Sequence, residues 1–354
     1  MKKTFRRILL TVLCAALLCA LPQGSYALAT APPPAEEEEA VQETPPPPED
    51  TDSLQARTRG AQMGQAELVD MPEHYKLPAT ERGRVICLPY TTAHEKTYPY
   101  AYVYLPYGYH PDNRYDIVYL MHGGGGTPGS FLNDPRQNQI FANMVDHLIE
   151  EEKIRPLILV APTFYRYGHT GRSLQDSWDD LNAFPKEFIE NLIPAVEGRF
   201  STYAETTDAE GIRASRTHRA FSGFSLGAVT TWEIFLECLD AVAIYLPVSG
   251  DCWRLGRGGG AQMPQQTAGL LTQTVIASGY SAEDILVYGF TGTKDGMLHQ
   301  MSTQIDAMRV HGDVFDTNLI YRVREDAEHL LVDMDEHLYY MFTDVFPAPP
   351  KMHR

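Results

Sequence analysis

Cysteine is scarce and scattered, with five residues in a chain of 354, at positions 14, 19, 87, 238 and 252. No C-x-x-C pair occurs, so neither a cysteine-ligated zinc module nor a disulfide framework can hold the fold, which must rest on a hydrophobic core. Positive charge is in deficit as well: 29 Lys+Arg stand against 46 Asp+Glu, a net charge of -17. That field repels polyanions, which excludes nucleic acid and anionic membrane surfaces as partners. No apolar run reaches the roughly 20 residues that span a bilayer. The chain also lacks a repeat of solenoid length, a Lys-Ser/Thr after its glycine runs, an H-E-x-x-H and a D-x-[DN]-x-[DN]-G loop. Phosphate cradling, zinc-protease chemistry and calcium-repeat docking therefore have no sequence support.

What is present begins with a leader-like segment. Lys2, Lys3, Arg6 and Arg7 precede the apolar run from Ile8 to Leu21, and small residues follow at Ala27-Leu28-Ala29. That layout predicts a secretory signal peptide over residues 1–29, and with it a secreted, extracellular protein, at the cell surface or in the periplasm. Once the leader is removed, no membrane contact is expected. A Pro/Glu-rich stretch over 30–59 contains Pro32 to Pro34, Glu36 to Glu39 and Pro45 to Pro48. Proline favours extended backbone and the glutamates repel one another, which predicts a disordered linker. Residues 60–354 have globular composition and read as one catalytic domain.

Within that domain, eight short runs of apolar, β-branched and aromatic residues predict strands at 85–90, 98–105, 117–121, 157–161, 220–224, 242–248, 285–290 and 319–323. The first two alternate or run beside Pro89 and Pro106, as edge or antiparallel strands do, and the later ones are near-continuous, as strands buried on both faces are. Apolar positions recur at helical spacing around Ile140 to Ile149, Phe184 to Val196, Leu226 to Leu239 and Ile305 to Met308. Alternating strands and helices predict an α/β architecture: a mostly parallel eight-stranded sheet with helices on both faces. Ligands in such folds bind beyond the carboxyl ends of the strands.

The run Gly223-Phe224-Ser225-Leu226-Gly227 is a G-x-S-x-G pattern between a predicted strand and a predicted helix. A sharp strand-to-helix turn needs glycine where chain approaches chain and exposes its serine at the apex, so Ser225 is the candidate nucleophile. An attacking serine needs donors for the oxyanion it creates. The strand ending at Met121 runs into His122-Gly123-Gly124-Gly125-Gly126, and the amides of Gly124 and Leu226 are the candidate oxyanion hole. His122 itself reads as a residue bracing that loop rather than as a base.

A general base and its orienting acid should follow the serine in the chain. Asp295 lies in Thr291-Gly292-Thr293-Lys294-Asp295-Gly296, after one predicted strand, and His329 lies in Arg324-Glu325-Asp326-Ala327-Glu328-His329, after the last. Asp306 and Asp326 compete as acids, and His299 and above all His337 compete as bases. His329, Asp333 and His337 also share a four-residue spacing that could face a metal, but no further ligand stands nearby at metal-site spacing, so no metal is expected.

Thr217-His218-Arg219-Ala220-Phe221-Ser222-Gly223-Phe224-Ser225-Leu226-Gly227, Tyr119-Leu120-Met121-His122-Gly123, Thr291-Gly292-Thr293-Lys294-Asp295 and Val248-Ser249-Gly250-Asp251-Cys252-Trp253 together resemble the feruloyl esterase members of carbohydrate esterase family 1. The resemblance covers about 80 to 346. It implies the α/β-hydrolase fold, Ser225 as nucleophile, Asp295 as acid, His329 as base and Gly124 with Leu226 as oxyanion hole. It also implies that Trp253 flanks the substrate, and His122 is counted with it among the substrate-binding residues. No cofactor is implied. Where the family writes Gly-Gly-His before its base, this chain has Ala327-Glu328-His329. The expected substrate is a hydroxycinnamoyl, feruloyl-type ester on plant cell-wall xylan. An acetyl xylan esterase is the neighbouring alternative, and a non-catalytic carbohydrate-binding protein on an esterase-like fold is the alternative of another class.

Overall fold

A computed structural model describes residues 52–64, 68–91, 100–132, 140–166 and 173–349. The expected leader, and the expected linker as far as residue 51, lie outside the described residues. The apolar runs become eight strands: β1 Arg84–Pro89, β2 Tyr100–Leu105, β3 Asp116–Met121, β4 Leu157–Ala161, β5 Arg219–Phe224, β6 Ile244–Val248, β7 Leu286–Gly292 and β8 Leu319–Arg324. They form one sheet in the order β1-β2-β4-β3-β5-β6-β7-β8. β1 pairs with β2, and β2 with β4, in antiparallel fashion, and every later pair is parallel. The proline-flanked runs are thus the antiparallel margin, and of these two β1 is an edge while β2 is interior. This is the α/β-hydrolase arrangement.

Side chains of one strand point alternately to opposite faces, so each central strand feeds two cores. Ile117, Tyr119 and Met121 of β3 join Phe221, Tyr245 and Val287 on one face, packed by Phe184, Val229, Trp232, Leu271, Ile305 and Met308. Val118 and Leu120 join Leu246, Tyr288 and Phe290 on the other, packed by Phe141, Met144, Leu148, Leu338 and Phe342. Trp232 is fully buried, and its indole N–H donates to the Gly250 carbonyl at 3.0 Å. Burying one large apolar side chain stabilises by about 1.5–3 kcal/mol, so the two cores leave no need for cross-links. Cys238 and Cys252 are buried free thiols and Cys87 is an exposed one. Among the described residues no helix is long and apolar enough to cross a membrane.

The amino-terminal boundary of the folded part differs from the expectation. A helix over Leu54–Met63 begins inside the expected linker, capped by Ser53, whose hydroxyl accepts the Ala56 N–H at 3.3 Å. Its Arg57 is fully buried, and one guanidinium nitrogen contacts both oxygens of Asp116, at 2.8 and 2.9 Å. His218 joins the same carboxylate at 2.8 Å. Burial alone would raise the Asp116 carboxyl, but Arg57 and His218 outweigh it and hold it below the ordinary aspartate range. The folded part therefore starts by about residue 52, because an ion pair draws the last residues before Gly60 into the domain.

Candidate active site

The turn between β5 and the helix Leu226–Glu237 forces Ser225 to φ 58° and ψ -117°, a conformation that costs a non-glycine residue about 1–3 kcal/mol. Surrounding chain enforces it. A Cβ on Gly223 would lie 2.2 Å from the Gly227 carbonyl oxygen, and one on Gly227 would lie 2.1 Å from that of Met121. Only glycine fits at either place. The Ser225 N–H donates to Val248 O at 3.0 Å, and the Ser225 carbonyl accepts the Ala228 and Val229 N–H groups, at 2.9 and 3.1 Å. Backbone bonds on both sides thus fix the serine at the carboxyl end of the central strand.

Facing it is the glycine run after β3. The Gly125 N–H is taken by the Tyr165 hydroxyl at 2.8 Å and the Gly126 N–H by the Gly123 carbonyl at 3.1 Å. Gly124 rests against Leu226, since a Cβ there would meet the leucine side chain at 3.2 Å. Among the described residues no acceptor meets the Gly124 N–H. Leu226 opens its helix, where an N–H has no intrahelical partner. Among the described residues both amides are thus left without a backbone acceptor next to the serine turn.

His122 is 1% exposed, and its ring is fully engaged. Nδ1 contacts the Gly123 carbonyl at 2.8 Å and so carries the proton, which leaves Nε2 to accept the Thr163 hydroxyl at 2.6 Å. Burial pushes its pKa down to about 4, keeping the ring neutral. His122 thus braces the loop, as expected, and has no ring nitrogen left to offer a ligand, although it forms part of the cavity wall. Sequence reasoning missed Thr163 and Tyr165, which follow β4 and tie the glycine run down. The available signal was a Thr-x-Tyr pattern, Thr163 and Tyr165, beginning two residues beyond the end of a buried strand.

Asp295 sits in the loop after β7 with its side chain fully buried, and its two oxygens lie 2.9 and 3.0 Å from His329 Nδ1. The Met297 N–H donates to it at 2.7 Å. Burial would raise this carboxyl, yet the His329, Met297 and Ser249 hydrogen bonds prevail and leave it below the ordinary aspartate range. It stays ionised near neutrality. The His329 ring lies on Phe224, centroids 4.6 Å apart, so the residue before the serine orients the imidazole. Ser225 and His329 line one cavity of about 550 Å³ with Gly124, Phe131, Leu331 and Met334.

The competing residues are elsewhere. His337 is 1% exposed and stacked on Phe290. Asp306 is on the surface with Arg309, Asp326 pairs with Lys294, and His299 is beside Thr303. Asp333 is held by Arg324 and the Glu328 N–H. Trp253, expected beside the substrate, does not line the Ser225 cavity. Its indole N–H donates to Asp251 at 2.8 Å, and it lines a separate cleft with Arg257, Met297 and Gln300. The bond to Asp251 turns the indole toward that cleft.

Comparison with known proteins places this geometry in a lineage. The Esterase family model matches residues 95–232. Endo-1,4-beta-xylanase Y of Acetivibrio thermocellus is 38% identical over 239 residues, 67% of this chain and 20% of that protein. An endo-1,4-beta-xylanase/feruloyl esterase of Xylanibacter ruminicola is 29% identical over 175 residues, 47% of this chain and 20% of that protein. The chain thus spans about a fifth of the length of the curated relatives it matches. Among solved structures, a serine-to-alanine mutant of the feruloyl esterase module from Clostridium thermocellum, complexed with sinapinate, aligns with a TM-score of 0.70 at 34% identity, covering 82% of this chain and 98% of that one. A ferulic acid esterase from Anaeromyces mucronatus, at 18% identity and a TM-score of 0.57 over 80% of this chain and 99% of that one, shares the fold.

Proposed function

Because the chain belongs to carbohydrate esterase family 1, as a feruloyl esterase-like α/β-hydrolase that cleaves carboxylic esters, we propose that it releases hydroxycinnamate from ferulate-type esters on plant xylan by a serine acyl-enzyme mechanism. The observation that carries this reading is that His329, paired with the buried Asp295, lines the same cavity as Ser225. In the proposed cycle Ser225 Oγ attacks the ester carbonyl while His329 Nε2 takes its proton. Asp295 holds the Nδ1–H and stabilises the imidazolium. The tetrahedral oxyanion receives the Gly124 and Leu226 N–H groups, the sugar hydroxyl leaves with the proton from His329, and water activated by the same ring cleaves the acyl-enzyme.

Substrate class rests on the cavity wall and on the relatives. Phe131, Phe224, Leu331 and Met334 give the space beside Ser225 an apolar lining suited to a planar aromatic acyl group. A relative 34% identical was solved complexed with sinapinate, itself a hydroxycinnamate. The leader-like pattern of residues 1–29 supports export, which would bring the enzyme to its polymeric substrate. The test is Ser225→Ala assayed on methyl ferulate and on an acetyl ester. The variant should keep its melting temperature and lose on the order of 10⁴-fold or more in kcat. Retained turnover would end the serine mechanism, and a wild type that prefers the acetyl ester would move the reading to an acetyl xylan esterase.

A further inference from the structure

A second cluster of chemistry-bearing side chains lies on another part of the molecule, sharing no residue with the Ser225 cavity. His147 and Glu151 stand four positions apart at the carboxyl end of the helix Ile140–Glu150, and His74 reaches them from the short turn Glu73–Lys76 that precedes β1. One donor atom from each of the three lies within 4.8 Å of the others. His74 Nε2 is 3.0 Å from Glu151 Oε1. Donors to one tetrahedral ion at bonds of about 2.0–2.1 Å stand roughly 3.3 Å apart, so this edge already has the required length.

The surroundings prepare the other donors. The His147 Nε2–H donates to the Leu77 carbonyl at 3.1 Å, which leaves Nδ1, 3.7 Å from Glu150 Oε2, as the ring atom for an ion. The Tyr75 hydroxyl donates to Glu151 Oε2 at 2.7 Å, leaving Oε1 to a ligand. Burial would raise the Glu151 carboxyl, but the Tyr75, His74 and Lys153 contacts hold it below the ordinary glutamate range. The Tyr75 ring stacks on His147 at 4.9 Å, nearly parallel, which holds the imidazole in place. Lys153 Nζ lies 3.2 Å from Glu151 Oε2, the oxygen that also accepts the Tyr75 hydroxyl.

We propose that His74, His147 and Glu151 form a binding site for a divalent transition-metal ion of the zinc type, completed by water. Two imidazoles and one carboxylate match that ion and not magnesium or calcium, which take oxygen ligands. Binding displaces the proton on His74 Nε2, either to solvent or to Nδ1. The ion clips the segment before β1 to the helix behind it, so its role is structural.

The experiment uses the full chain without a histidine tag, stripped with EDTA and dialysed, titrated with zinc chloride by calorimetry and followed by thermal unfolding. The site predicts one equivalent bound at micromolar concentration and a rise in melting temperature that magnesium chloride does not give. His74→Ala removes an exposed ligand, so it should unfold like wild type in EDTA yet bind zinc at least about tenfold more weakly. Glu151→Gln should also weaken binding. Absence of saturable binding at millimolar zinc, or binding that His74→Ala leaves unchanged, would overturn the proposal.

Discussion

Two histidines of the terminal segment differ in every physical respect that matters for a base. His329 is partly exposed, lies on Phe224 and contacts a buried carboxylate, whereas His337 is 1% exposed, stacks on Phe290 and has no partner for either ring nitrogen among the described residues. His329→Ala should therefore lower kcat on methyl ferulate by on the order of 10⁴-fold, while His337→Phe, which keeps a ring against Phe290, should leave kcat within about twofold. Steady-state kinetics on the two purified variants decide, and the opposite ranking would put the base at His337. Asp295→Asn should cost a comparable factor with little change in melting temperature, because the amide keeps the size but fixes the wrong imidazole tautomer. Asp306→Asn, on the surface with Arg309, should change neither. The serine was legible because its motif carries its own turn geometry. Its acid and base were legible only as a short field of alternatives, since burial, which separates His329 from His337, is a property of the folded chain.

At the scale of elements, the helix Leu54–Met63 is where sequence reasoning stopped short. Its buried apolar positions are few, Leu54 and Ala61, and its main anchor is Arg57 on Asp116, a contact across 59 positions that no local pattern reveals. Removing one partner of a buried ion pair typically costs about 3–5 kcal/mol. A chain of residues 52–354 should therefore melt with the full-length protein, whereas residues 60–354, the boundary composition alone would choose, should melt roughly 10 °C lower. Arg57→Ala in the longer form should fall in between or match the truncation. Differential scanning calorimetry on the three separates the cases, and equal melting of both truncations would remove the helix from the folded unit. The strands, by contrast, were legible nearly to the residue, because a strand buried on both faces must be apolar throughout, as in Val118 to Met121 and Ile244 to Leu246.

Across the whole molecule, burial of ionisable groups makes stability depend on pH. Burial lowers the His337 pKa to about 3, with Arg324 adding to the shift and Asp295 opposing it. As pH falls below the free imidazole value of about 6.5, the unfolded chain takes up a proton that the folded chain refuses, so stability is lost progressively from about pH 6.5 down to about 3. At pH 5 this single group costs about 2 kcal/mol, at 1.36 kcal/mol per pKa unit. His337→Phe should remove that loss, so its melting temperature relative to wild type should climb as the buffer is taken from pH 7 to pH 5. A constant difference across that range would mean that His337 titrates normally.

The account depends most on Ser225 becoming acylated, and intact-protein mass spectrometry tests this without reference to rates. Wild type mixed with excess methyl ferulate and quenched in acid within the first turnovers should carry one feruloyl group, which peptide mapping should find on the segment containing Ser225. Asp295→Asn, slowed in both steps because one imidazole serves both, should acquire it only over longer times, and Ser225→Ala none. Ester hydrolysis with no covalent adduct in either acylating form, or an adduct on any other residue, would contradict the account.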